Sequence, residues 1–196
     1  MLRLTPVLAK TTGQEKSVPV RQRVKNQSSA AREAVRRSSL ESGLPINRLE
    51  KDERDVPQPD GDIYWSLSHT SRLVAGVVAH CEVGVDVEGP RKVREDLVHK
   101  IVSEEEADVL GGRGEREFLR TWTAKESFLK CIGLGVAGLG RCNIVGAPTD
   151  EQIHLEFDSK TYLVHQTTHA NHVAALCLAT PMSDDNTVIT IDWILP

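Results

Sequence analysis

The longest run of helical periodicity lies between Glu115 and Gly133, and it constrains the fold more than any other segment. Its larger apolar side chains recur at helical spacing, at Phe118, Leu119, Trp122, Leu129 and Ile132. This spacing places them on one side of a helix. Gly133 is the residue type that most often ends a helix. We therefore predict one long amphipathic helix that ends at Gly133.

The glycines that follow match the string G-x-G-x-x-G at Gly133, Gly135 and Gly138. A dinucleotide fingerprint needs a strand before the first glycine and a helix that begins at the last. Here a helix precedes the glycines and a strand is predicted to follow. No acidic residue lies on a second strand about 20 residues later. The glycines are therefore predicted to form a helix end and a loop.

The remaining patterns predict a mixed α+β fold. Aliphatic and aromatic runs favour strands at 2–9, 63–69, 72–80, 83–88, 141–146, 153–157, 161–167, 172–179 and 187–195. Ser28 or Ser29 is expected to cap a helix that runs to about Leu40. Ser103 and Glu106 have capping-box spacing, which predicts a helix over 104–110.

Two segments of the chain are similar to each other. HTSRLVAGVVA at 69–79 and HANHVAALCLA at 169–179 align without a gap, with three identities in eleven positions. Chance remains one explanation of so weak a match. The other is a pair of related α+β halves, each covering the sheet of the other.

The strand VGVDVE places two carboxylates side by side. Strand periodicity puts Asp86 and Glu88 on one face, with Val85 and Val87 on the other. Adjacent carboxylates repel each other in a half-buried strand unless a cation binds them. Oxygen ligands of this kind suit Mg²⁺, which also keeps waters and phosphate oxygens in its shell. The alternative is an exposed edge strand whose two acids are solvated.

The long helix adds a third carboxylate and an ammonium group. Trp122, Glu126 and Lys130 lie four residues apart and form one stripe. By themselves, Glu126 and Lys130 would be interpreted as a surface ion pair. Next to an Asp/Glu strand they have the composition of a metal-and-phosphate site, in which carboxylates hold the cation and the ammonium faces phosphate.

Ser68 and His69 end the predicted strand WSLSHT, where a hydroxyl and an imidazole suit a phosphate contact. The sequence lacks a G-x-S-x-G elbow, which argues against a hydrolase triad. His165, His169 and His172 are expected on two strands around a turn, without the fixed geometry of a zinc site.

Charge and composition limit the possible partners. With 24 basic and 28 acidic residues, the chain is not expected to bind nucleic acid. Six of the residues from Arg21 to Arg37 are basic, which predicts either a local anion site or a solvated helix face. No apolar run is long enough to span a membrane. The four cysteines lack metal-finger spacing and are interpreted as reduced thiols of a cytoplasmic protein.

Three motifs together resemble a known family. WSLSHT, VGVDVEGPR and WTAKESFLKCIGLG, in this order and at these separations, are similar to the 4′-phosphopantetheinyl transferases of the larger, surfactin-synthetase-activating type. The similarity covers about residues 54–135. The upstream segment VRQRVKNQSS has no clean counterpart, so Arg21, Arg23, Lys25 and Arg36 all remain candidates for an anion contact.

The resemblance implies a fold and a set of roles. It implies a monomer of two similar α+β halves, residues 1–82 and 83–196, related by a pseudo-twofold axis with coenzyme A in the cleft between them. The implied roles fall on seven residues: Asp86, Glu88 and Glu126 as Mg²⁺ ligands, Lys130 at the phosphates, Ser68 and His69 near the 3′-phosphate, and Arg54 near the adenine and 3′-phosphate.

The implied reaction moves the phosphopantetheine arm of coenzyme A to a serine of an apo acyl or peptidyl carrier protein and releases adenosine 3′,5′-bisphosphate. Glu126 and Lys130 are the predicted catalytic residues, and the choice of general base among the carboxylates stays open. Two alternatives are a non-catalytic relative that binds coenzyme A or a nucleotide, and another Mg²⁺-dependent phosphohydrolase.

Overall fold

The computed structural model describes residues 2–15, 17–182 and 189–196. The first elements are strands β1 (Leu2–Leu4) and β2 (Val7–Lys10), helix α1 (Val20–Ser42), and strands β3 (Tyr64–His69) and β4 (Leu73–Ala79). Strands β2, β4 and β3 form an antiparallel sheet in that order. Helix α1 covers this sheet so closely that a Cβ on Gly76 would lie 2.3 Å from the backbone nitrogen of Val35.

The second group of elements forms a larger sheet with helices on it. It comprises β5 (Val83–Glu88), α2 (Glu95–Ile101), α3 (Glu104–Leu110), α4 (Glu115–Cys131), a 3₁₀ helix (Gly135–Arg141), β6 (Asn143–Thr149), β7 (Gln152–Phe157), β8 (Lys160–His169) and β9 (His172–Leu178). The five strands are antiparallel in the order β5-β9-β8-β7-β6. The last strand, β10 (Ile189–Ile191), pairs in parallel with β1.

Helix α4 packs on β5, β8 and β9, and this packing positions the candidate site. Phe128 is fully buried, with its ring centroid 5.1 Å from that of Phe157 and 4.6 Å from that of Tyr162. The helix approaches β5 still more closely, because a Cβ on Gly84 would lie 1.9 Å from the backbone oxygen of Ser127. Glycine at this position lets α4 lie directly on β5.

The two sheets meet where β3 lies beside β5. Strand β5 is an edge strand of its own sheet. On β3, Ser66 Oγ accepts a hydrogen bond from the Val85 N–H of β5, at 3.0 Å. Apolar side chains of both sheets form one buried cluster that includes Leu8, Leu73, Val77, Val85, Val87 and Leu176. The outer edge of β5 is therefore covered by the first sheet.

The predicted α+β fold is confirmed, and several elements have the predicted bounds. Strand 83–88 and helix 104–110 coincide with β5 and α3. The capping box forms: Ser103 Oγ accepts from the Glu106 N–H at 3.2 Å, and the Glu106 carboxylate accepts from the Ser103 N–H at 3.0 Å. Gly133 ends the region of α4 with a left-handed φ of 67°.

The predicted start of the first helix was wrong. Helix α1 begins at Val20, eight residues before Ser28, and no side chain caps it. It begins directly after Pro19, whose φ of −53° suits the entry into a helix. Ser28 and Ser29 lie inside the helix, so their capping preference was overridden by the start that proline provides.

Other boundaries also differ from the predictions. The expected strand at 2–9 is two strands, β1 and β2, separated at Pro6, which has no N–H to donate. The short helix α2 was not predicted, and the expected loop after Gly133 contains the 3₁₀ helix. The expected strand at 187–195 is limited to β10, and its first two residues lie outside the described residues.

The two similar segments form corresponding hairpins. Residues 69–79 contain the turn and second strand of the β3–β4 hairpin, and residues 169–179 those of the β8–β9 hairpin. In each case the second strand lies between two others, β4 between β2 and β3, and β9 between β5 and β8. His169 and His172 flank the second turn on different strands, as predicted.

Two composition-based expectations can also be compared with the structure. Cys81, Cys131, Cys142 and Cys177 are free thiols, and the last three are buried. In the described parts of the chain, every helix is too short or too polar to cross a membrane.

Candidate active site

Asp86 lies at the centre of a polar cluster formed by β3, β5 and α4. Its side chain is buried, with 5% exposed. Ser68 Oγ donates to Asp86 Oδ1 at 2.8 Å, and Lys130 Nζ donates to the same oxygen at 2.7 Å. Lys130 also donates to the backbone oxygen of Val85 at 3.3 Å. A solvated edge strand, the alternative interpretation of this acid, is therefore wrong for Asp86.

Glu88 and Glu126 lie close enough to Asp86 for its negative charge to raise their pKa values. Burial, followed by repulsion from Asp86, raises the pKa of the Glu126 carboxyl, and the Lys130 charge opposes this only in part. Burial and Asp86 likewise raise the pKa of Glu88, while Arg91 and a hydrogen bond from Trp122 lower it. The three carboxylates therefore form a region of mutual repulsion.

Two carboxylate oxygens in this region are buried without a partner. Asp86 Oδ2 and Glu126 Oε1 accept no hydrogen bond. Buried acceptors normally have a partner, so these two atoms indicate a position for a ligand that carries positive charge or donates hydrogen bonds. Carboxylate oxygens that are crowded together and repel each other are suitable ligands for Mg²⁺. The residues present thus fit the predicted metal, with Asp86, Glu88 and Glu126 as possible ligands.

The present side-chain arrangement is not that of a closed metal site. Over the described ranges, no three His, Cys, Asp or Glu side chains come close enough together to enclose an ion. The positive charge at Asp86 is supplied by Lys130, whose side chain is 30% exposed. Lys130 therefore compensates the charge of the buried aspartate and is also accessible to solvent.

A cavity of about 230 Å³ lies beside this cluster. Its wall includes Glu126, Lys130, Ser66, Lys51 and Arg54. A neighbouring cavity of about 310 Å³ shares Arg54 and Lys130 with it. Three cationic side chains therefore border one depression, although Lys51 is paired with Asp55 and Arg54 with Asp52. Such a group of cations can attract a ligand with several phosphates. The sequence patterns had not indicated Lys51.

A second depression lies on the other side of the carboxylates. This cavity of about 360 Å³ is lined by Glu88, Arg91, Arg72 and His172, among others. The Arg91 guanidinium lies 5.7 Å from the centroid of the Trp122 ring, and one nitrogen is 3.9 Å from Glu88 Oε2. In the sequence, Arg91 is marked only by its position directly after VGVDVEGP.

His69 and Arg54 lie near the cluster but make weaker contacts. His69 ends β3, and desolvation followed by the positive charge of Lys130 lowers the pKa of its imidazole. Arg54 is exposed, with one guanidinium nitrogen 3.5 Å from Asp52 Oδ2. Both residues are thus at the edge of the cleft rather than inside the cluster.

The basic residues of the first helix do not reach this region. Arg21, Arg23, Lys25 and Arg36 all lie on α1. Within the described residues, none of the four lines either cavity beside Lys130. The structure therefore does not select an anion contact among them.

The glycine string lies next to the site without forming it. The Leu134 N–H donates to the backbone oxygen of Leu129 at 3.1 Å, which closes the last turn of α4. Gly133 and Gly135, both with left-handed φ, line the cavity that contains Glu126. A helix precedes this loop, as predicted, so the order of elements opposes that of a dinucleotide fold.

Carboxylates, a lysine and a cavity bordered by basic side chains are groups that proteins use for substitution at the phosphorus of a phosphoanhydride. A family model for the 4′-phosphopantetheinyl transferase superfamily matches residues 82–179, which is half of the chain. The chain therefore belongs to the 4′-phosphopantetheinyl transferase superfamily, and the family resemblance of the three motifs is confirmed.

Curated relatives agree with this assignment. The 4′-phosphopantetheinyl transferase gsp of Aneurinibacillus migulanus is 29% identical over 90 residues, which cover 44% of this chain and 38% of that protein. HetI of Nostoc sp. is 28% identical over 127 residues, 61% of this chain and 53% of HetI. Sfp of Bacillus subtilis is 24% identical over 186 residues, 91% of this chain and 79% of Sfp. The chain thus spans 38% and 53% of the lengths of gsp and HetI.

Proposed function

We propose that this protein transfers the 4′-phosphopantetheine arm of coenzyme A to a serine of an apo acyl or peptidyl carrier protein. The observation that carries the proposal is the clustering of the Asp86, Glu88, Glu126 and Lys130 charges, in a chain of this superfamily. The alignment with Sfp over 91% of the chain supports the larger type within the superfamily.

We further propose that the fold is a monomer of two pseudo-twofold-related halves, residues 1–82 and 83–196. The support is a shared order of elements. The first sheet has the order β2-β4-β3 with α1 following β2, and the second contains β5-β9-β8 with α4 following β5. The cleft between β3 and β5 would then lie on the pseudo-twofold axis.

The four free thiols favour a reducing compartment, the cytoplasm.

Coenzyme A would occupy the basic cleft. Lys51 and Arg54 line the cavity that also contains Lys130, so its 3′-phosphate and pyrophosphate would meet three cations. His69 ends the adjacent strand and would contribute an imidazole on the 3′-phosphate side. The Ser68 hydroxyl donates to Asp86 and would have to leave it to contact this phosphate. Lysine suits such contacts because its ammonium binds phosphate as a point charge.

Mg²⁺ would be held by Asp86, Glu88 and Glu126. When bound, it would withdraw charge from the pyrophosphate oxygens. The protein's own contribution to this site is a set of carboxylates whose mutual repulsion and burial raise the pKa values of Glu88 and Glu126. A bound divalent cation would relieve that repulsion. The carboxylates could then stay ionised instead of taking up protons.

In the proposed step, the carrier serine oxygen forms a bond to the phosphorus next to the pantetheine. The bond from that phosphorus to the bridging oxygen breaks, and adenosine 3′,5′-bisphosphate leaves. Lys130 neutralises charge that develops on the leaving phosphate. The carboxylate of Glu126, which lines the cavity, receives the serine proton. The enzyme thus acts mainly by alignment and by placing charge.

The test is a transfer assay with mass detection. The protein is incubated with coenzyme A, Mg²⁺ and purified apo carrier proteins of the fatty-acid, polyketide and peptide-synthetase classes. We expect the mass of a carrier to increase by one phosphopantetheine group on its serine. With Glu126→Gln, the rate of this transfer should be at least about 100-fold lower. Glu156→Gln, a change at a half-buried glutamate of β7, is the matched control and should retain wild-type rates.

The alternatives give different results in the same assay. Consumption of coenzyme A without any carrier would indicate a phosphohydrolase. If the protein binds coenzyme A but does not consume it with any of the carriers, it would be a non-catalytic relative. Either outcome, or an unaffected Glu126→Gln variant, would refute the proposal.

A further inference from the structure

A buried ion pair lies on the opposite side of α4 from the cleft. Lys125 Nζ is 2.8 Å from Glu106 Oε1 and 3.0 Å from Oε2, and it also donates to the backbone oxygen of Ile101 at 2.9 Å. The two side chains are only 7% and 3% exposed. This is a fully enclosed pair, unlike the surface pairs elsewhere on the molecule.

Glu106 connects this pair to two further elements. Its Oε2 accepts from the Ser103 N–H at the start of α3, at 3.0 Å. Its Oε1 accepts from the Ile144 N–H on β6, at 2.8 Å. Together with the Ile101 contact, one lysine and one glutamate join the end of α2, the start of α3, strand β6 and helix α4.

Such a pair is an inefficient way to gain stability alone. Each charge that is removed from water carries a large desolvation cost, and apolar side chains of similar volume often stabilise a core equally well. Hydrogen bonds differ from apolar contacts in direction and length, because they weaken steeply when misaligned. The pair therefore restricts the rotation and the axial position of α4 more narrowly than apolar packing does.

Lys125 is the residue directly before Glu126. Successive side chains on a helix point about 100° apart, so fixing Lys125 on the α3 side fixes the direction of Glu126 toward Asp86. On the basis of the proposed function, we propose that Lys125 is a positioning residue, held by Glu106, that sets the place of the Glu126 carboxylate in the cleft. It does not itself touch the reacting groups.

The size of the effect follows from the required precision. Functional groups must be held to within about 0.5 Å, and a displacement of about 1 Å can cost about 100-fold in rate. We expect Lys125→Met to lower kcat by about 10-fold to 100-fold while the KM for coenzyme A changes less than about threefold. The split arises because the cations that line the coenzyme A cavity, Lys51, Arg54 and Lys130, remain in place.

Arg120 provides a matched control on the same helix. It is also buried, and it joins α4 to the second sheet by donating to Gln166 Oε1 at 3.0 Å and to the backbone oxygen of Thr149 at 2.9 Å. Arg120→Met removes a comparable buried cation that precedes Glu126 on α4 by more than one helical turn. At a temperature where both variants are folded by circular dichroism, Arg120→Met should keep kcat within about threefold of the wild type.

A crystallographic comparison tests the geometry independently of any activity. In Lys125→Met, or in Glu106→Gln if the first variant does not fold, the Glu126 carboxylate should move by about 1 Å or more relative to Asp86. An unmoved carboxylate, or equal kinetic losses in the Lys125 and Arg120 variants, overturns the positioning role. A wild-type protein that modifies no carrier would instead refute the proposed function, and the crystal structures would still decide the position of Glu126.

Discussion

Removing Lys130 should destabilise the protein more than removing the charge of its partner, Asp86. The two side chains are joined at 2.7 Å, but their surroundings differ. Asp86 is 5% exposed and fixed in the middle of β5, whereas Lys130 is 30% exposed on a flexible stem. Lys130→Met leaves a buried carboxylate with the hydroxyl of Ser68 as its remaining side-chain partner. Asp86→Asn leaves an ammonium that can turn into the cleft.

The magnitudes follow from that asymmetry. Breaking a fully buried ion pair by removing one partner costs about 3–5 kcal/mol. Because Lys130 is partly in water, we reduce the expected cost of Lys130→Met to about 2 kcal/mol of unfolding free energy. Asp86→Asn keeps an oxygen for Ser68 and removes repulsion from Glu88 and Glu126, so its cost should stay below about 1 kcal/mol.

The assay is a double-mutant cycle by urea denaturation at pH 7 without added metal, followed by circular dichroism. The double variant should resemble Asp86→Asn alone, which corresponds to a coupling free energy of about 2 kcal/mol between the two residues. A larger loss for Asp86→Asn than for Lys130→Met would refute the reasoning. So would additive losses, since these would mean that the two side chains do not interact.

Two further changes test the site and its packing. Glu126→Gln should raise the unfolding free energy of the metal-free protein at pH 7, by less than about 1 kcal/mol because the carboxyl is only half-buried. The raised pKa of Glu126 means that its charged form is disfavoured in the fold, so the gain should shrink as the pH falls through that pKa and vanish by about pH 4, the usual range of glutamate. A pH-independent gain would contradict this cause. Gly84→Ala should cost about 3 kcal/mol or more, because the new Cβ would lie 1.9 Å from the backbone oxygen of Ser127. Gly140→Ala, with no atom within 4 Å, is its control and should change the melting temperature little.

The sequence predicted those elements whose signals are local. Strand β5 alternates valine with polar residues, and α3 carries a complete capping box, so both were found with correct bounds. Helix α1 was predicted to begin more than two turns too late, because its first turns contain no side-chain cap and few apolar residues. Helix α2 escaped prediction for a similar reason, since no side chain caps its seven residues.

The residues of the candidate site likewise fall into those with a local sequence signal and those without one. Asp86, Glu88, Glu126 and Lys130 could be predicted because strand and helix periodicity place each pair on one face, and the structure brings the four residues together. Contacts between distant segments had no such signal. Lys51 lies in a loop, and the pairing of Glu106 with Lys125 joins α3 to α4, so both become visible only after the chain has folded.

The two ion pairs of α4 have opposite exposures, and this difference bears on function. Lys125 and Glu106 are closed off from water on one side of the helix, whereas Lys130 is partly exposed on the other side, beside two unpartnered carboxylate oxygens. A buried pair holds a helix rigidly in place, and an exposed lysine can exchange one anion for another. Helix α4 is thus held firmly on the side that needs no movement. On the cleft side, Lys130 is partly exposed and is therefore free to exchange Asp86 for another anion.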